Sequence, residues 1–241
     1  MKKTALITGA SGGIGSAIAK KFAKNGYAVV LLYNRHPESI HKITDCMDDG
    51  AACLCIKCDI TDAESVNEMV RMTHERIGSI GVLINCAGTA LKQNLLTDTT
   101  DDDYMRVFET NVHGMIRVTR AFYDDIRINQ GAIVNMSSVW GVTGASCEVL
   151  YSASKAAVIG FTQALAKELA PSGATVNCIA PGWIPTQMNA HLSEQASSAF
   201  IQNTPLGRLG TPEEIADAAW YLASARFVTG QTVRCDGGYT I

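Results

Sequence analysis

The sequence of 241 residues predicts an α/β fold, a single doubly wound parallel sheet with helices on both faces. Short apolar runs alternate with longer segments of helical periodicity along the whole chain. Most of the runs are continuous rather than alternating, as expected for parallel strands that are buried on both faces. No Pro/Ser linker, repeat or low-complexity tract interrupts this order, so residues 1–241 are expected to form one domain.

The strands are predicted at the apolar runs, and the helices between them. The predicted strands cover residues 4–8, 28–33, 51–58, 82–85, 132–136 and 175–180, with a weaker one at 232–235. The predicted helices lie near residues 14–24, 39–48, 63–77, 103–128, 152–169 and 212–223. Asp62 is placed as a helix N-cap, and Thr211, Pro212 and Glu214 have the spacing of an N-cap, N1 and N3 residue. The alternation of strands and helices predicts right-handed crossovers.

Composition argues against several classes of partner. The formal net charge of -3 gives no basic surface for nucleic acid or anionic membranes. No run approaches the roughly 18 apolar residues of a membrane span, so we expect a cytoplasmic protein with a small-molecule partner. Cys55 and Cys58 form a C-x-x-C, but strand alternation points them to opposite faces, and a second pair of ligands is missing. No metal site is predicted, and the eight cysteines are expected to be buried thiols in a reducing compartment.

A glycine-rich turn follows the first predicted strand and precedes the first predicted helix. Glycines there permit positive φ and a close approach of the backbone to a pyrophosphate, which the helix N-terminus then stabilises. This position in the fold predicts a Rossmann-type dinucleotide site. The residues of the turn expected to bind the cofactor are Gly9, Ser11, Gly12, Gly13, Ile14 and Gly15.

A second group of residues has the chemistry of proton transfer. Tyr151 and Lys155 stand at i and i+4 of a predicted helix and therefore share one face. An adjacent ammonium favours the phenolate, so we expect the Tyr151 pKa to be lowered from its ordinary value of about 10. Ser138 lies upstream and can hydrogen-bond a substrate carbonyl oxygen on which negative charge grows.

The spacing T-G-x-x-x-G-x-G, the segment Asn85-Cys86-Ala87-Gly88 and the ordered set Asn111, Ser138, Tyr151 and Lys155 resemble the short-chain dehydrogenase/reductase family over essentially the whole chain. This resemblance implies a ketone reductase in which Tyr151 gives the proton and Lys155 also bonds the nicotinamide ribose. It implies that Asn111 holds a water that passes protons to Lys155. Asp59 would contact the adenine, Ile60 would also bind the cofactor, and Asn85, Ala87 and Gly88 would support it. The segment after the sixth strand, with Pro181, Gly182, Ile184 and Thr186, would hold the nicotinamide carboxamide.

The end of the second strand indicates which cofactor is used. Asn34 and Arg35 follow that strand, and there is no carboxylate to pair with the ribose hydroxyls of NAD. Arg35 instead offers a planar cation for a 2′-phosphate, which favours NADPH over NADH. Related NADPH enzymes often carry a basic residue where this chain has Gly12, so Arg35 would act without that partner.

The identity of the ketone is left open. The chain resembles most the 3-oxoacyl-acyl-carrier-protein reductases, although Asn129 and Ser172 stand where such enzymes present arginines beside the site to the acyl carrier protein. The segment 140–151 resembles relatives that reduce a 5-aminopentanone group on elongation factor P, and Glu148 could pair with the amine or could be an exposed residue at a helix start. A catalytically silent nucleotide-binding sensor or scaffold is the alternative of another class. Segments 89–95, 139–149 and 187–204 should select the substrate, the last as a mobile lid that contains Met188, His191, Leu192 and Phe200. The resemblance also implies a homo-tetramer or homo-dimer that assembles through helices 103–128 and 152–169.

Overall fold

The structure is a computed structural model that describes residues 3–44, 52–189 and 193–241. Its sheet has seven parallel strands in the order β3-β2-β1-β4-β5-β6-β7. They are β1 Thr4–Thr8, β2 Ala28–Tyr33, β3 Cys53–Lys57, β4 Val82–Asn85, β5 Ala132–Met136, β6 Thr175–Pro181 and β7 Thr232–Cys235. The predicted doubly wound sheet is confirmed. The strand order reverses between β1 and β4, and this crevice is where such sheets bind their ligands.

Ten α-helices cover the sheet within the described ranges. They are α1 Gly13–Lys24, α2 Pro37–Thr44, α3 Ala63–Arg76, α4 Asp101–Phe108, α5 Met115–Ala121, α6 Tyr123–Ile128, α7 Val139–Thr143, α8 Val149–Leu169, α9 Glu194–Gln202 and α10 Pro212–Ser224. A π-helical segment, Glu109–Gly114, joins α4 to α5. Short 3-10 turns lie at Leu96–Asp98, Ala170–Ser172 and Gln187–Asn189.

The apolar core has one layer on each face of the sheet, as the continuous strands predict. Within β1, Ile7 is buried with Ile18 and Ala219 of the layer beneath α1 and α10. Its neighbour Leu6 points to the opposite layer and is buried with Phe122. Because helices cover both faces of the sheet, we expect the polar side chains that bind a ligand to lie at the ends of the strands.

The predicted helix starts at Asp62 and Thr211 are confirmed. The Asp62 carboxylate accepts hydrogen bonds from the backbone amides of Glu64 and Ser65 at the start of α3. Thr211 and Glu214 form a reciprocal capping box around Pro212 at the start of α10. Each of these ends satisfies backbone donors that the helix cannot pair internally.

The predicted continuous helix over 103–128 is wrong. A capping box of Thr100 and Asp103 starts α4 at Asp101, and the chain then passes through the π-helical segment. Phe122, with φ -109° and ψ 12°, separates α5 from α6. Periodicity alone missed these breaks because the apolar face continues across them.

Other predicted boundaries shift by a few residues. Helix α8 begins at Val149, ahead of the predicted start at residue 152. Helix α2 begins at Pro37, and the predicted continuation over residues 45–48 lies outside the described residues, as does residue 51 of the third strand. Helices α7 and α9 were not predicted, because neither segment has a long apolar period.

The expectation of uniformly buried cysteines is wrong. Cys58 and Cys178 are buried, whereas the remaining described cysteines are partly exposed, namely Cys53, Cys55, Cys86, Cys147 and Cys235. Cys55 and Cys58 do face opposite core layers, as predicted. Cys46 lies outside the described residues. Across the parts of the chain that the structure describes, none of the helices has the length and apolar character needed to cross a membrane.

Candidate active site

The glycine turn lies between β1 and α1 at the switch point of the sheet. Gly9 has φ +66°, and a Cβ placed on it would lie 2.8 Å from Cα of Ala87. The amide of Gly12 closes the turn by donating to the Gly9 carbonyl at 3.0 Å. Position 9 therefore requires glycine for two reasons. Its positive φ would strain other residues, and a side chain would collide with Ala87 where β1 meets the segment after β4.

The start of α1 has the features of an anion site. Its N-cap residue Gly12 makes no side-chain capping bond, and its first turn contains no acidic residue. Gly12 and Gly13 are exposed, and a Cβ on Gly13 would lie 2.9 Å from Cγ2 of Thr186. The uncapped N-terminus and the lack of side chains fit the pyrophosphate of a dinucleotide. The predicted residues Ser11, Ile14 and Gly15 belong to the same turn, which approaches the segment after β6 where Gly13 meets Thr186.

At the far end of this crevice, the ends of β2 and β3 bring Asn34, Arg35 and Asp59 together. Asp59 Oδ1 accepts hydrogen bonds from the Thr61 amide at 2.9 Å and from its hydroxyl at 2.7 Å. Burial raises the pKa of Asp59, but the bonds from Thr61 and Asn34 and the charge of Arg35 outweigh it, so the pKa is lowered overall. Arg35 is exposed beside this carboxylate. A cation and two polar side chains thus stand where an adenosine ribose would lie.

Ile60 follows Asp59 in the chain and is buried. Its side chain lies against the π-helical segment. Arg117 of α5 donates to the Ile60 carbonyl at 2.7 Å. A Cβ on Gly114 would lie 2.7 Å from Cγ1 of Ile60. Sequence reasoning did not identify Arg117, and nothing in its local sequence marks it.

The segment after β4 is held by side chains from neighbouring strands. Thr8 Oγ1 accepts hydrogen bonds from the amides of Cys86 at 3.0 Å and Ala87 at 2.9 Å. This supporting role of Thr8 was not predicted. Because the backbone amides make these bonds, they do not depend on the Cys86 side chain.

A buried chain of amides and hydroxyls lies beneath that segment. Asn85 Nδ2 donates to Asn135 Oδ1 at 2.9 Å and to Thr119 Oγ1 at 3.0 Å. Asn135 Nδ2 donates to Thr162 Oγ1 at 2.9 Å. Oδ1 of Asn85 has no hydrogen-bond partner among the residues that the structure describes. The chain links β4 and β5 to the helices α5 and α8.

Tyr151, Lys155 and Ser138 are brought together at the carboxyl end of β5. Tyr151 and Lys155 lie one turn apart on α8, with Nζ of Lys155 5.7 Å from the centre of the Tyr151 ring. Ser138 caps α7, accepting from the Trp140 amide at 3.2 Å, and also hydrogen-bonds Tyr151. Lys155 is buried and donates to the Met136 carbonyl at 2.9 Å. The structure thus places the hydroxyls of Ser138 and Tyr151 and the ammonium of Lys155 at the carboxyl end of β5.

Burial dominates the ionisation of both residues on α8. It raises the pKa of Tyr151 to about 12, with the Ser138 hydrogen bond acting to lower it and the charge of Glu148 acting to raise it. Burial lowers the pKa of Lys155 to about 8, while Cys86 and Cys178 act to raise it. The expected lowering of the Tyr151 pKa by the ammonium is therefore wrong for this structure. A low-dielectric surrounding disfavours the charged form of each group.

Asn111 lies in the π-helical segment and is buried beside α8. Its Oδ1 accepts from the Thr89 amide at 2.8 Å, and its Nδ2 donates to the Thr89 carbonyl at 2.9 Å and to Ser154 Oγ at 3.0 Å. A Cβ on Gly88 would lie 3.3 Å from both Asn111 Oδ1 and Lys155 Nζ. Asn111, Gly88 and Lys155 are thus neighbours, and the irregular helix is of a kind often found at functional sites.

The segment after β6 lies across the crevice from α1. Gly182 donates from its amide to the Cys235 carbonyl at 3.0 Å, and Ile184 is buried. The Ile184 carbonyl accepts from Asn189 Nδ2 at 3.0 Å. Pro181 ends β6 and Thr186 faces Gly13, so this predicted cofactor segment and the glycine turn form the two walls of one slot.

Four aromatic residues form a cluster beside this segment, which we call the aromatic cluster: Trp140, Trp183, Phe200 and Tyr239. The rings of Phe200 and Tyr239 are stacked, with centroids 4.2 Å apart. Trp140 and Trp183 meet Phe200 at 6.3 Å and 5.6 Å. The cluster attaches α9, the helix of the predicted lid, to α7 and to the C-terminal residues. His191 and Leu192 of that lid lie outside the described residues.

Glu148 stands at the start of α8, close to Tyr151. It precedes the first helical residue, and with Lys92 and Tyr151 it lines a small cavity. Cys147 before it has φ +62°, a conformation that is uncommon outside glycine. Glu148 and Tyr151 thus line the same cavity, and the Glu148 charge acts on the Tyr151 phenol.

Asn129 and Ser172 do not lie beside this site within the chain. Asn129 precedes β5, and its Nδ2 donates to the Ile80 carbonyl at 3.0 Å. Ser172 precedes β6 and donates to the Leu169 carbonyl at 2.7 Å. Both positions are at the amino ends of their strands, the edge opposite Ser138. The expectation that they flank the site is wrong for a single chain.

Comparisons with known proteins agree with this geometry. A family model described as Enoyl-(Acyl carrier protein) reductase matches residues 9–240. The chain is 37% identical to the 3-oxoacyl-[acyl-carrier-protein] reductase of Staphylococcus aureus strain N315 over 99% of this chain and 98% of that protein. It is 36% identical to the reductase of the same name from Vibrio cholerae, over 98% and 96% of the two chains. It is 37% identical to Carbonyl reductase family member 4 of Danio rerio, over 99% and 98%.

Near-complete coverage at this identity extends across the glycine turn, the segment after β4 and the group at the end of β5. The chain belongs to the short-chain dehydrogenase/reductase family and is an oxidoreductase that acts on CH–OH and C=O groups.

Proposed function

We propose that the chain reduces a ketone to a secondary alcohol with NADPH. The observation that carries this proposal is the group at the end of β5, where the Tyr151 hydroxyl is bonded to Ser138 and Nζ of the buried Lys155 lies 5.7 Å from the centre of the Tyr151 ring. The glycine turn and the segment after β6 supply a slot for the cofactor in the same crevice. A catalytically silent sensor would have no need of this intact group.

The residues of the chain divide the work of proton transfer. NADPH supplies the hydride when it is bound. Burial keeps the Tyr151 hydroxyl protonated at neutral pH, the state that a proton donor needs. Ser138 donates a hydrogen bond to the carbonyl oxygen as its negative charge grows. The Lys155 ammonium stabilises the phenolate that Tyr151 leaves behind, and Asn111 holds the segments around Lys155 in place.

The choice of NADPH rests on the end of β2. Arg35 is exposed there, and Asn34 bonds the Asp59 carboxylate, so a 2′-phosphate would meet a guanidinium. A charge-assisted hydrogen bond of this kind contributes about 1.5–3 kcal/mol. Arg35→Ala should therefore raise the KM for NADPH by about 10–100-fold and leave the KM for NADH nearly unchanged.

The ketone that we propose first is a 3-oxoacyl thioester on acyl carrier protein. The names of the bacterial relatives support it, since they are 3-oxoacyl-[acyl-carrier-protein] reductases. A specific observation supports a second candidate, the 5-aminopentanone group of modified elongation factor P. Glu148 is held close enough to Tyr151 for its charge to act on the phenol, and a carboxylate at that place can pair with a substrate ammonium.

One experiment separates these candidates. Oxidation of NADPH and NADH is followed by absorbance with acetoacetyl thioesters and with a small 5-amino-2-ketone, for the wild type, Arg35→Ala and Glu148→Gln. Arg127→Ala is the matched control for Arg35, since it removes an exposed arginine paired with Asp124. Activity with thioesters only, unaffected by Glu148→Gln, would exclude the elongation factor. A preference for NADH would contradict the role of Arg35.

A further inference from the structure

Two thiols lie side by side on the edge strand β3, away from the group at the end of β5. The sulfur atoms of Cys53 and Cys55 are 3.8 Å apart, and one thiol donates a hydrogen bond to the other. Both side chains are partly exposed. Among the described strands, β3 pairs on one side only, with β2. Sequence reasoning missed this pair, although the i, i+2 spacing on a strand is its signal, because such residues point to one face.

The geometry of a strand allows these thiols to be joined. Two residues along a strand advance by roughly 6.6 Å, which is near the upper end of the Cα separations of about 4.4–6.8 Å found across disulfides. A bond at that limit is strained and hence easily reduced, a property of regulatory rather than structural disulfides. An edge strand can absorb the strain because it has one neighbour instead of two.

We propose that Cys53 and Cys55 form a reversible disulfide in the presence of a peroxide. The hydrogen bond between them favours the first step, since it lowers the pKa of Cys55 and raises that of Cys53. The Cys55 thiolate is then the nucleophile and Cys53 is the resolving thiol.

The reaction balances with the peroxide as oxidant. The Cys55 sulfur attacks one oxygen of hydrogen peroxide, the O–O bond breaks, and with one added proton a water leaves, which gives the sulfenic acid. The Cys53 sulfur then attacks the Cys55 sulfur and the S–O bond breaks. The departing hydroxide takes the Cys53 proton and leaves as a second water, so one peroxide is reduced as two thiols are oxidised.

The disulfide should act on the cofactor end of the crevice, and this part rests on the proposed function. Cys55 pairs with Leu31 and Lys57 pairs with Tyr33. The Cys58 amide donates to the Tyr33 carbonyl at 2.8 Å. Drawing Cys53 and Cys55 together shortens β3 just before Asp59, and the ladder carries this change to the residues that follow β2, where Arg35 lies. We expect the KM for NADPH to rise by about fivefold with kcat little changed.

The test uses the full chain, treated with hydrogen peroxide, alkylated and digested for mass spectrometry. The peptide with Cys53 and Cys55 should lose two hydrogens and resist alkylation, and dithiothreitol should reverse both effects. Cys53→Ala and Cys55→Ala should each abolish the change, whereas Cys235→Ser, a partly exposed thiol on β7, should retain it. Circular dichroism shows whether the variants are folded.

Several results would overturn the inference. The pair could remain fully alkylated after oxidation, or Cys55 could be found linked to a different cysteine or oxidised to a sulfinic acid. NADPH binding, followed by its fluorescence, separates the two parts of the proposal. A disulfide that leaves this affinity unchanged removes the effect on the cofactor. A reduced protein that does not bind NADPH contradicts the proposed function but leaves the disulfide chemistry intact.

Discussion

At the scale of single residues, burial sets the chemistry of the site. Tyr151 and Lys155 face one another, and burial favours the neutral form of both, raising the pKa of one and lowering that of the other. A neutral phenol suits a proton donor, whereas a lysine near its pKa loses its charge within the working pH range. The ammonium is therefore the member of the pair that limits activity in mild alkali.

This difference predicts how ketone reduction depends on pH. The Tyr151 proton is retained as the pH rises towards about 12, but Lys155 loses its proton above a pKa of about 8. The kcat/KM for reduction, measured from pH 6 to pH 10, should stay level and then fall by about tenfold per unit above pH 8. In Lys155→Arg the guanidinium stays charged, so whatever activity remains should not fall there. A wild-type profile that is level to pH 10 would contradict this assignment.

Removing the phenol hydroxyl tests the donor itself. Tyr151→Phe should lower kcat by about 10²–10⁴-fold because no proton reaches the alkoxide, while NADPH affinity stays close to that of the wild type. The measurement is steady-state NADPH oxidation with fluorescence titration of the cofactor. Tyr221→Phe removes the same atom from an exposed residue of α10 and should have no effect. An unchanged rate in Tyr151→Phe would exclude the mechanism.

At the scale of elements, the sequence predicts strands better than helices. The continuous apolar runs end where the chain must turn, so β1, β2, β4, β5 and β7 lie where they are predicted. The helix over 103–128 failed because a π-helical segment needs only one extra residue in the ladder, which leaves the apolar period nearly intact. Helix α9 is attached mainly by Phe200, a long-range contact that local periodicity does not show.

The glycine turn gives a prediction for this scale, with a matched control in the same chain. Gly9 and Gly26 have φ +66° and +78°, but a Cβ on Gly26 meets nothing within 4 Å, whereas on Gly9 it meets Ala87. Gly26→Ala should reduce the free energy of unfolding by about 1–3 kcal/mol through backbone strain alone. Gly9→Ala should cost about 1–3 kcal/mol more, because β1 and the segment after β4 must separate.

The two free energies come from urea unfolding followed by circular dichroism. NADPH affinity should fall in Gly9→Ala only, since the turn that it distorts is the one that we propose binds the pyrophosphate. Equal losses of stability in the two variants would mean that the close approach of Ala87 is not a constraint.

At the scale of the whole molecule, the aromatic cluster joins parts of the chain that are distant in sequence. Tyr239 stacks on Phe200 of α9, and Trp140 meets both rings. An aromatic pair of this kind contributes about 0.5–1.5 kcal/mol beyond its buried area. The C-terminal residues thus hold α9, the helix of the predicted lid, against α7, which Ser138 caps.

We expect the aromatic cluster to hold α9, the helix of the predicted lid, in place. Tyr239→Leu removes the stacked ring and should increase amide hydrogen exchange over residues 194–202, and Tyr239→Phe, which keeps the ring, should not. Hydrogen exchange with mass spectrometry checks both variants. The KM for the ketone should rise in Tyr239→Leu alone. Similar exchange in the two variants would show that the stacking does not hold α9.

Some residues of the site could be predicted from the sequence and others could not, and the difference depends on the fold of the whole molecule. Residues that act through their backbone or their chemical type, such as Gly9 and Tyr151, can be recognised in the chain. Residues that act by reaching across it cannot, because their role depends on which neighbour the fold brings near. Thr8, Arg117 and the aromatic cluster are of this second kind. The predicted direction of the Tyr151 pKa shift was wrong for the same reason, since the burial that raises this pKa follows from the packing of the whole molecule.

The buried amides of Asn85 and Asn135 also bear on how the sheet assembles. They lie directly opposite one another on neighbouring strands, near the carboxyl ends of β4 and β5, whose other paired side chains are apolar. If β4 slipped by one residue against β5, the two amides would face opposite sides of the sheet and lose their mutual hydrogen bond, at about 1–3 kcal/mol for each buried polar group left unpaired. We therefore expect the pair to favour the observed register over misaligned pairings of β4 and β5 during folding.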